Sequence, residues 1–274
     1  MKSSFARYRS VGHKLVTGFM EPEVLLVAGA LDEAQRARSV GGAVAEIGVH
    51  HGKLFIGLNL LQRDDEKSVA IDIFGDQDLN IDGSGAGDLA KFTSNVDVWS
   101  SMDSVVIHQG DSTKLTPEVL LEEAGGPVRF FSVDGGHTEE IVYSDMQLAE
   151  ATLADGGIVI ADDVFNEFWP GVAVGTLKYL DDGAGLAPFA IGFNKVFFTQ
   201  PEFCDYYQAE LESAAHRSAR IQHTTSVFAG HPVLLLGPVT AVDVLRRSET
   251  LRTVYHRTYR ELVRGLQKVS GQGR

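Results

Sequence analysis

Phe130-Phe131-Ser132-Val133-Asp134-Gly135-Gly136-His137, followed further along by Gly157-Ile158-Val159-Ile160-Ala161-Asp162-Asp163, decides the architecture of this chain. Each stretch is an apolar run that ends in a carboxylate. Runs of this length, flanked by glycine, read as strands buried on both faces of a parallel sheet. In such sheets ligands bind outside the carboxyl ends of the strands. Asp134, Asp162, Asp163 and His137 are therefore expected at one rim. Hard carboxylate oxygens suit Mg²⁺ or a similar ion, and a neutral imidazole suits proton abstraction. The competing readings are a helix cap for Asp134, solvated turn residues for Asp162 and Asp163, and a structurally satisfied histidine for His137. Adjacent residues of an extended strand point to opposite faces, so Asp162 and Asp163 can share one ion only if the chain turns there.

Outward from this pair of strands, the pattern alternates. Residues 43–47, 68–73 and 105–109 are strand-like, and residues 53–62 are helix-like. Thr116-Pro117 supplies an N-cap followed by proline at the first helical position, which predicts a helix over 117–123. Helices are expected at 138–153 and 172–180. Residues 189–193 and 196–199 read as a hairpin across Asn194-Lys195. Alternating strands and helices give an α/β fold with a doubly wound, mostly parallel sheet, here of seven strands with a terminal hairpin. Residues 1–40 are expected to be a helical extension and 41–200 the core. Residues 201–274 are expected to be a second helical extension, with helices at 201–217 and 242–269.

The turn after the first strand reads Glu46-Ile47-Gly48-Val49-His50-His51-Gly52. Glycine here lets the backbone turn tightly and come close to a ligand. His50 stands where a dinucleotide fingerprint places its middle glycine, which crowds a pyrophosphate and disfavours a nicotinamide dehydrogenase. Asp72 ends the second strand, placed for a ribose hydroxyl pair. Asp111 follows the third. One such acid is readily a turn cap; Glu46, Asp72, Asp111 and Asp134 at successive strand ends are harder to assign to capping together. Between them, Asp78-Leu79-Asn80-Ile81-Asp82-Gly83 imitates the start of a calcium loop, but Leu89 stands where the bidentate glutamate belongs. A glycine-rich active-site loop that closes over a ligand is the better reading.

The 274 residues are 44% hydrophobic and carry a net charge of −13, which argues against nucleic-acid or anionic-membrane partners. The exception is 246–274, with eight Lys/Arg against two Glu, read as a solvated helix face or a subunit contact. The amphipathic termini suit a homo-oligomer interface. Cys204 alone excludes an intrachain disulfide and fits a reducing compartment. No targeting segment is legible, and residues 24–31 are too short an apolar run to span a bilayer. A cytoplasmic protein is expected.

From about residue 43 to 199 the chain resembles the class I S-adenosylmethionine-dependent methyltransferases, with His50 standing where many members carry a third glycine. The resemblance implies that Glu46, Gly48 and Gly52 frame the methionine part of the donor. It also implies that Asp72 binds ribose, that Asp111 and Ser112 lie near adenine, and that Asp134 borders the donor. Asp134-x-x-His137, then glycine, an apolar run and Asp162-Asp163, is similar to the metal-dependent sugar O-methyltransferases of the macrocin and mycinamicin type. It is more loosely similar to the catechol O-methyltransferases. The first likeness implies that Asp134, Asp162 and Asp163 hold Mg²⁺ and that His137 is the general base. The acceptor is then a hydroxyl of a sugar or glycoside. A phenol-methylating enzyme, or a non-catalytic S-adenosylmethionine-binding protein of the same fold, remains as an alternative. His50 and His51 are further candidates for contact with the ligand or the ion's surroundings. Phe168 and Trp169 suit either stacking on a sugar face or core packing.

Overall fold

The computed structural model of the protein describes residues 4–240 together with Asp243 and Thr253. The helix expected at 242–269 and the basic stretch 246–274 otherwise fall outside the described residues. Among the described residues, nine strands form one sheet: β1 (Ala43–Ile47), β2 (Ser68–Asp72), β3 (Val105–Gln109), β4 (Val128–Val133), β5 (Leu153–Asp162), β6 (Ala187–Gly192), β7 (Lys195–Thr199), β8 (Ile221–Phe228) and β9 (His231–Pro238). Their order is β3-β2-β1-β4-β5-β7-β6-β9-β8. The first five are parallel; β7 runs antiparallel to both β5 and β6. The chain therefore has the α/β doubly wound architecture, and its direction reverses between β1 and β4, the crevice where such sheets bind ligands.

Two expectations are corrected here. The sheet has nine strands rather than seven, and the segment after residue 200 is not wholly helical. After helix α8 (Cys204–Arg217), the β8–β9 hairpin joins the sheet through a parallel pairing of β9 with β6. Val233, Leu234 and Leu236 are buried there, whereas four of the eight residues of β8 are exposed and only Ile221 is buried, as suits an edge strand.

Helices cover both faces. Alternating β residues feed two cores: Val44, Ala70, Phe130 and Ile160 pack with α2 (Val24–Ala37), α3 (Phe55–Asn59), α4 (Leu89–Trp99) and α8. Ala45, Ile71, Phe131 and Val159 pack with α5 (Pro117–Ala124), α6 (Glu139–Thr152) and α7 (Pro170–Asp181). This one-residue alternation is the period-2 geometry of a strand buried on both sides. A short helix α1 (Phe5–Ser10) precedes α2 and packs Tyr8 into the first core. Helix α5 starts as its sequence requires, with Thr116 Oγ1 accepting from Val119 N at 3.5 Å, and it stops at Gly125 with φ +75°. Among the described residues no helix is long and apolar enough to cross a membrane.

Candidate active site

The carboxyl ends of β1, β2, β4 and β5 open into a cavity of about 1020 Å³. Glu46, Gly48, Asp72, Asp111, Ser112, Asp134, His137, Asp162 and Asp163 all line it, as does His50; Gly52 lies just behind the same turn.

The donor side is built on close backbone approach. Gly48 has φ +82°, and a Cβ at that position would sit 1.7 Å from the Asp134 carbonyl oxygen. Only glycine permits the β1 and β4 turns to meet in this way. His50 also adopts positive φ, at 50°, and its backbone N–H donates to Asp72 Oδ2 at 2.7 Å. Phe74 N donates to Asp72 Oδ1 at 2.6 Å. Asp72 thus fastens the glycine turn to the end of β2 while lying against the cavity. Asp111 accepts from Thr113 N at 2.9 Å and from Thr113 Oγ1 at 2.7 Å, capping a short 3-10 turn. Glu46 is 2% exposed and its Oε2 has no hydrogen-bond partner among the described residues. Burial, with Asp162 and Asp72 adding to it against Lys195, pushes its pKa up to about 8. The imidazoles of His50 and His51 lie face to face, 3.8 Å between ring centroids, and burial lowers both their pKa values.

On the chemical side, the cap of α6 is Thr138, whose Oγ1 accepts from Ile141 N at 3.4 Å, so Asp134 is not the cap. The Asp134 carboxylate accepts no hydrogen bond among the described residues. Burial first, then the nearby charges of Asp162, Glu46 and Asp163 against that of Lys195, raise its pKa well above the usual carboxylate value. One ligand atom each from Asp134, His137 and Asp163 lies within 4.8 Å of the others.

The two adjacent acids part company. Asp163 takes φ +58°, the turn that extended geometry demanded, and its side chain meets His137, Asn166 and Asn194. Asp162 instead pairs with the ammonium of Lys195, directly opposite it in the β5–β7 register. Lys195 is 2% exposed and stands among Asp162, Asp134 and Glu46; burial lowers its pKa, but these acids more than reverse that. The group of three therefore contains Asp134 and Asp163, with His137 in the place where Asp162 was expected.

His137 is held on every side. Its Nε2 lies 3.2 Å from Asp163 Oδ2, and its Nδ1 lies 3.1 Å from Asp82 Oδ2 and 3.0 Å from Ser84 Oγ. Its ring stacks on Trp169 with centroids 4.4 Å apart. Burial pulls its pKa down, but the hydrogen bonds to Asp163 and Asp82 outweigh this, and the net shift is upward. Trp169 thus packs on the imidazole, while its neighbour Phe168 is 76% exposed at the cavity mouth.

Asp82, Ser84 and Lys195 were not among the residues singled out from the sequence. The signal for Lys195 was a lone cation opening an otherwise apolar strand, Lys195-Val196-Phe197-Phe198, opposite a strand that ends in acids. Asp82 lay inside the calcium-loop imitation.

Residues 45–164 match the family described as "Methyltransferase domain". No curated protein matches the chain. Among solved structures, that of the O-methyltransferase NovP has a TM-score of 0.51 at 18% identity, covering 65% of this chain and 80% of its own. The calicheamicin methyltransferase CalS11 has a TM-score of 0.46 at 20% identity, covering 63% of this chain and 77% of its own. The methyltransferase MycE from the mycinamycin biosynthetic pathway, in complex with Mg and SAH, has a TM-score of 0.46 at 18% identity over 73% of this chain and 55% of its own. The sheet order, the cavity at its reversal point and the likeness to NovP agree: the chain has the α/β Rossmann-like methyltransferase fold, within which residues 45–164 match the methyltransferase domain.

Proposed function

We propose that the protein is an S-adenosylmethionine-dependent O-methyltransferase that acts on a hydroxyl of a sugar or glycoside with the help of a divalent cation such as Mg²⁺. The observation that carries this reading is the meeting of Asp134, His137 and Asp163 beside the glycine turn at Gly48. The likeness to NovP, itself an O-methyltransferase, agrees with it.

In this reading Glu46, Gly48 and Gly52 frame the methionine end of the donor, Asp72 takes the ribose, and Asp111 with Ser112 borders the adenine. The place of Glu46, Gly48, Asp72, Asp111 and Ser112 along one cavity supports this. Carboxylate oxygens fit a divalent ion, and Asp134, with no hydrogen bond of its own among the described residues, is the group most in need of one. Asp134 and Asp163 would hold it, with Asp162 adding negative charge from its pair with Lys195. When bound, such an ion lowers the pKa of a coordinated hydroxyl.

The proton has a defined destination. An Nδ1–H of His137 donated to Asp82 leaves Nε2 as the basic nitrogen facing the site. As the hydroxyl oxygen forms its bond to the methyl carbon, the carbon–sulfur bond breaks and sulfur keeps the electron pair. The hydroxyl proton passes to Nε2, where Asp163 stabilises the imidazolium. The sulfonium methyl needs no acid catalyst, so one base suffices.

Calorimetry with S-adenosylmethionine and a labelled-methyl screen of sugars and glycosides, with Mg²⁺ and with chelator, tests this. Donor binding, chelator-sensitive transfer and a large kcat loss in His137→Ala with donor affinity retained are expected. Absence of donor binding, or full transfer in chelator, overturns the corresponding part.

A further inference from the structure

Four large apolar side chains stand at the mouth of the cavity, beside the exposed Glu21 and Glu167 and above an acidic interior. Phe19 is 99% exposed, Ile81 and Phe168 are each 76% exposed, and Phe165 is 55% exposed; all four line the opening. They come from separate segments: the stretch before α2, the loop after β2, and the loop after β5. Phe165 is braced edge-on against Phe228 of β8, 5.4 Å between centroids. Isolated exposed apolar residues need no explanation, but several converging on one opening mark a binding surface.

The charges point the same way. Nine acidic side chains line the cavity against two lysines and, among the described residues, no arginine. Lys195 is committed to Asp162, whereas Lys53 Nζ donates to the carbonyl of Gly18 at 2.8 Å and has no carboxylate partner among the described residues. Phosphate oxygens are bound by arginine forks, lysines or free backbone N–H groups. Here nine acids outnumber two lysines and one divalent ion, so a diphosphate would enter a field that is still largely of its own sign.

From these two observations, and resting on the function proposed above, we infer that the acceptor is a glycoside whose non-sugar part is an uncharged apolar group, aromatic or otherwise planar, seated on Phe19, Ile81, Phe165 and Phe168, and that nucleoside diphosphate sugars are excluded. The sugar hydroxyl then reaches His137 while the apolar group stays at the mouth. Burying one aromatic side chain of the mouth supplies roughly tenfold or more in affinity.

The test uses the full chain and one panel of monosaccharides, each presented as p-nitrophenyl glycoside, methyl glycoside and nucleoside diphosphate sugar, with labelled donor and Mg²⁺. For the sugar that is methylated, the p-nitrophenyl form should exceed the methyl form by about tenfold in kcat/KM, and the nucleotide form should give no product. Phe168→Ala, at an exposed position, should cost the p-nitrophenyl glycoside at least about fivefold more than the methyl glycoside. A nucleotide sugar as good as the aryl glycoside, or equal losses in Phe168→Ala, overturns the inference. If no sugar is methylated, quenching of tryptophan fluorescence decides. Binding of p-nitrophenyl glycosides that Phe168→Ala weakens supports the apolar mouth, while preferential binding of a nucleoside diphosphate rejects it. Donor calorimetry separately reports on the methyltransferase reading.

Discussion

Asp82 and His137 are 55 residues apart, yet one carboxylate oxygen of Asp82 accepts from the His137 backbone N–H and faces its ring Nδ1. This pairing joins the loop after β2 to the loop after β4 across the cavity. The loop is itself ordered by short-range bonds: Ser84 N donates to Asp82 Oδ1 at 2.8 Å, and Gly83 N donates to Asn80 Oδ1 at 3.0 Å. The residues that imitate a calcium loop are thus occupied in orienting an imidazole.

Removing that orientation should harm turnover more than binding. Asp82→Ala is expected to lower kcat by about 10–100-fold, the usual cost of losing a group that orients a working histidine. Donor affinity by calorimetry should change less than about threefold, because the methionine and ribose contacts lie elsewhere. Asp82→Asn, which keeps an acceptor oxygen, should recover part of the loss. Wild-type turnover in Asp82→Ala would detach this loop from the chemistry.

The Lys195–Asp162 pair is open to a double-mutant cycle. Both groups are buried, so removing one strands the other's charge. Lys195→Met alone should lose about 3–5 kcal/mol in urea unfolding. Lys195→Met combined with Asp162→Asn should lose less than the sum of the single changes, with a coupling of about 1–3 kcal/mol. Additive losses would show that the two residues act independently.

Why the sequence revealed some of this and not the rest follows from local against long-range causes. Strands β1, β3 and β4 were readable to the residue because they are short apolar runs closed by glycine or acid. Helix α5 announced itself through Thr116-Pro117. The hairpin was visible from two dense apolar arms, but its turn falls at Phe193-Asn194, both at positive φ, one residue before the Asn194-Lys195 turn expected, and Lys195 opens β7 instead. By contrast, β8 reads Ile221-Gln222-His223-Thr224-Thr225-Ser226-Val227-Phe228, with few apolar positions, because an edge strand has little to bury. It exists through its ladder with β9, which no periodicity reports. The rim acids were legible for the same reason as the strands they end. Their partners were not: Lys195 meets Asp162 only through antiparallel register, and Asp82 meets His137 only through loop closure.

At the opposite end of the sheet, Arg129 is fully buried in β4 and wholly committed. Its Nε donates to both oxygens of Glu66, at 2.9 and 3.0 Å, its Nη1 to Gln35 Oε1 at 2.7 Å, and its Nη2 to Leu61 O at 3.0 Å. Asp32 lies 3.0 Å from Nη1. Arg129→Met should destabilise the fold by about 3–5 kcal/mol, because Asp32 and Glu66 lose their counter-ion inside the protein. The chemistry is remote, so the folded fraction should keep wild-type kcat. A variant of unchanged urea midpoint would mean that water reaches these acids.

Asp145, behind the donor side of the cavity, gives the fold a pH dependence of its own. It lies on α6 beneath Gly135, is 0% exposed, and stands close to Ser112. Burial first, with Asp111 adding to it against the Ser112 hydroxyl, pushes its pKa up to about 7. An unfolded aspartate titrates near 3.9, so the folded state holds this proton more tightly. Its contribution to stability is therefore complete below about pH 4 and is lost progressively as pH rises through about 7. Between about pH 5 and about pH 8 the loss from this one group is roughly 3 kcal/mol. Asp145→Asn keeps the shape and removes the ionisation. Urea unfolding at the two pH values should show a smaller drop in the variant than in the wild type, by about that amount. Equal drops would mean that Asp145 ionises without cost in the folded protein, and the pH dependence would then belong to Glu46 and Asp134 at the rim.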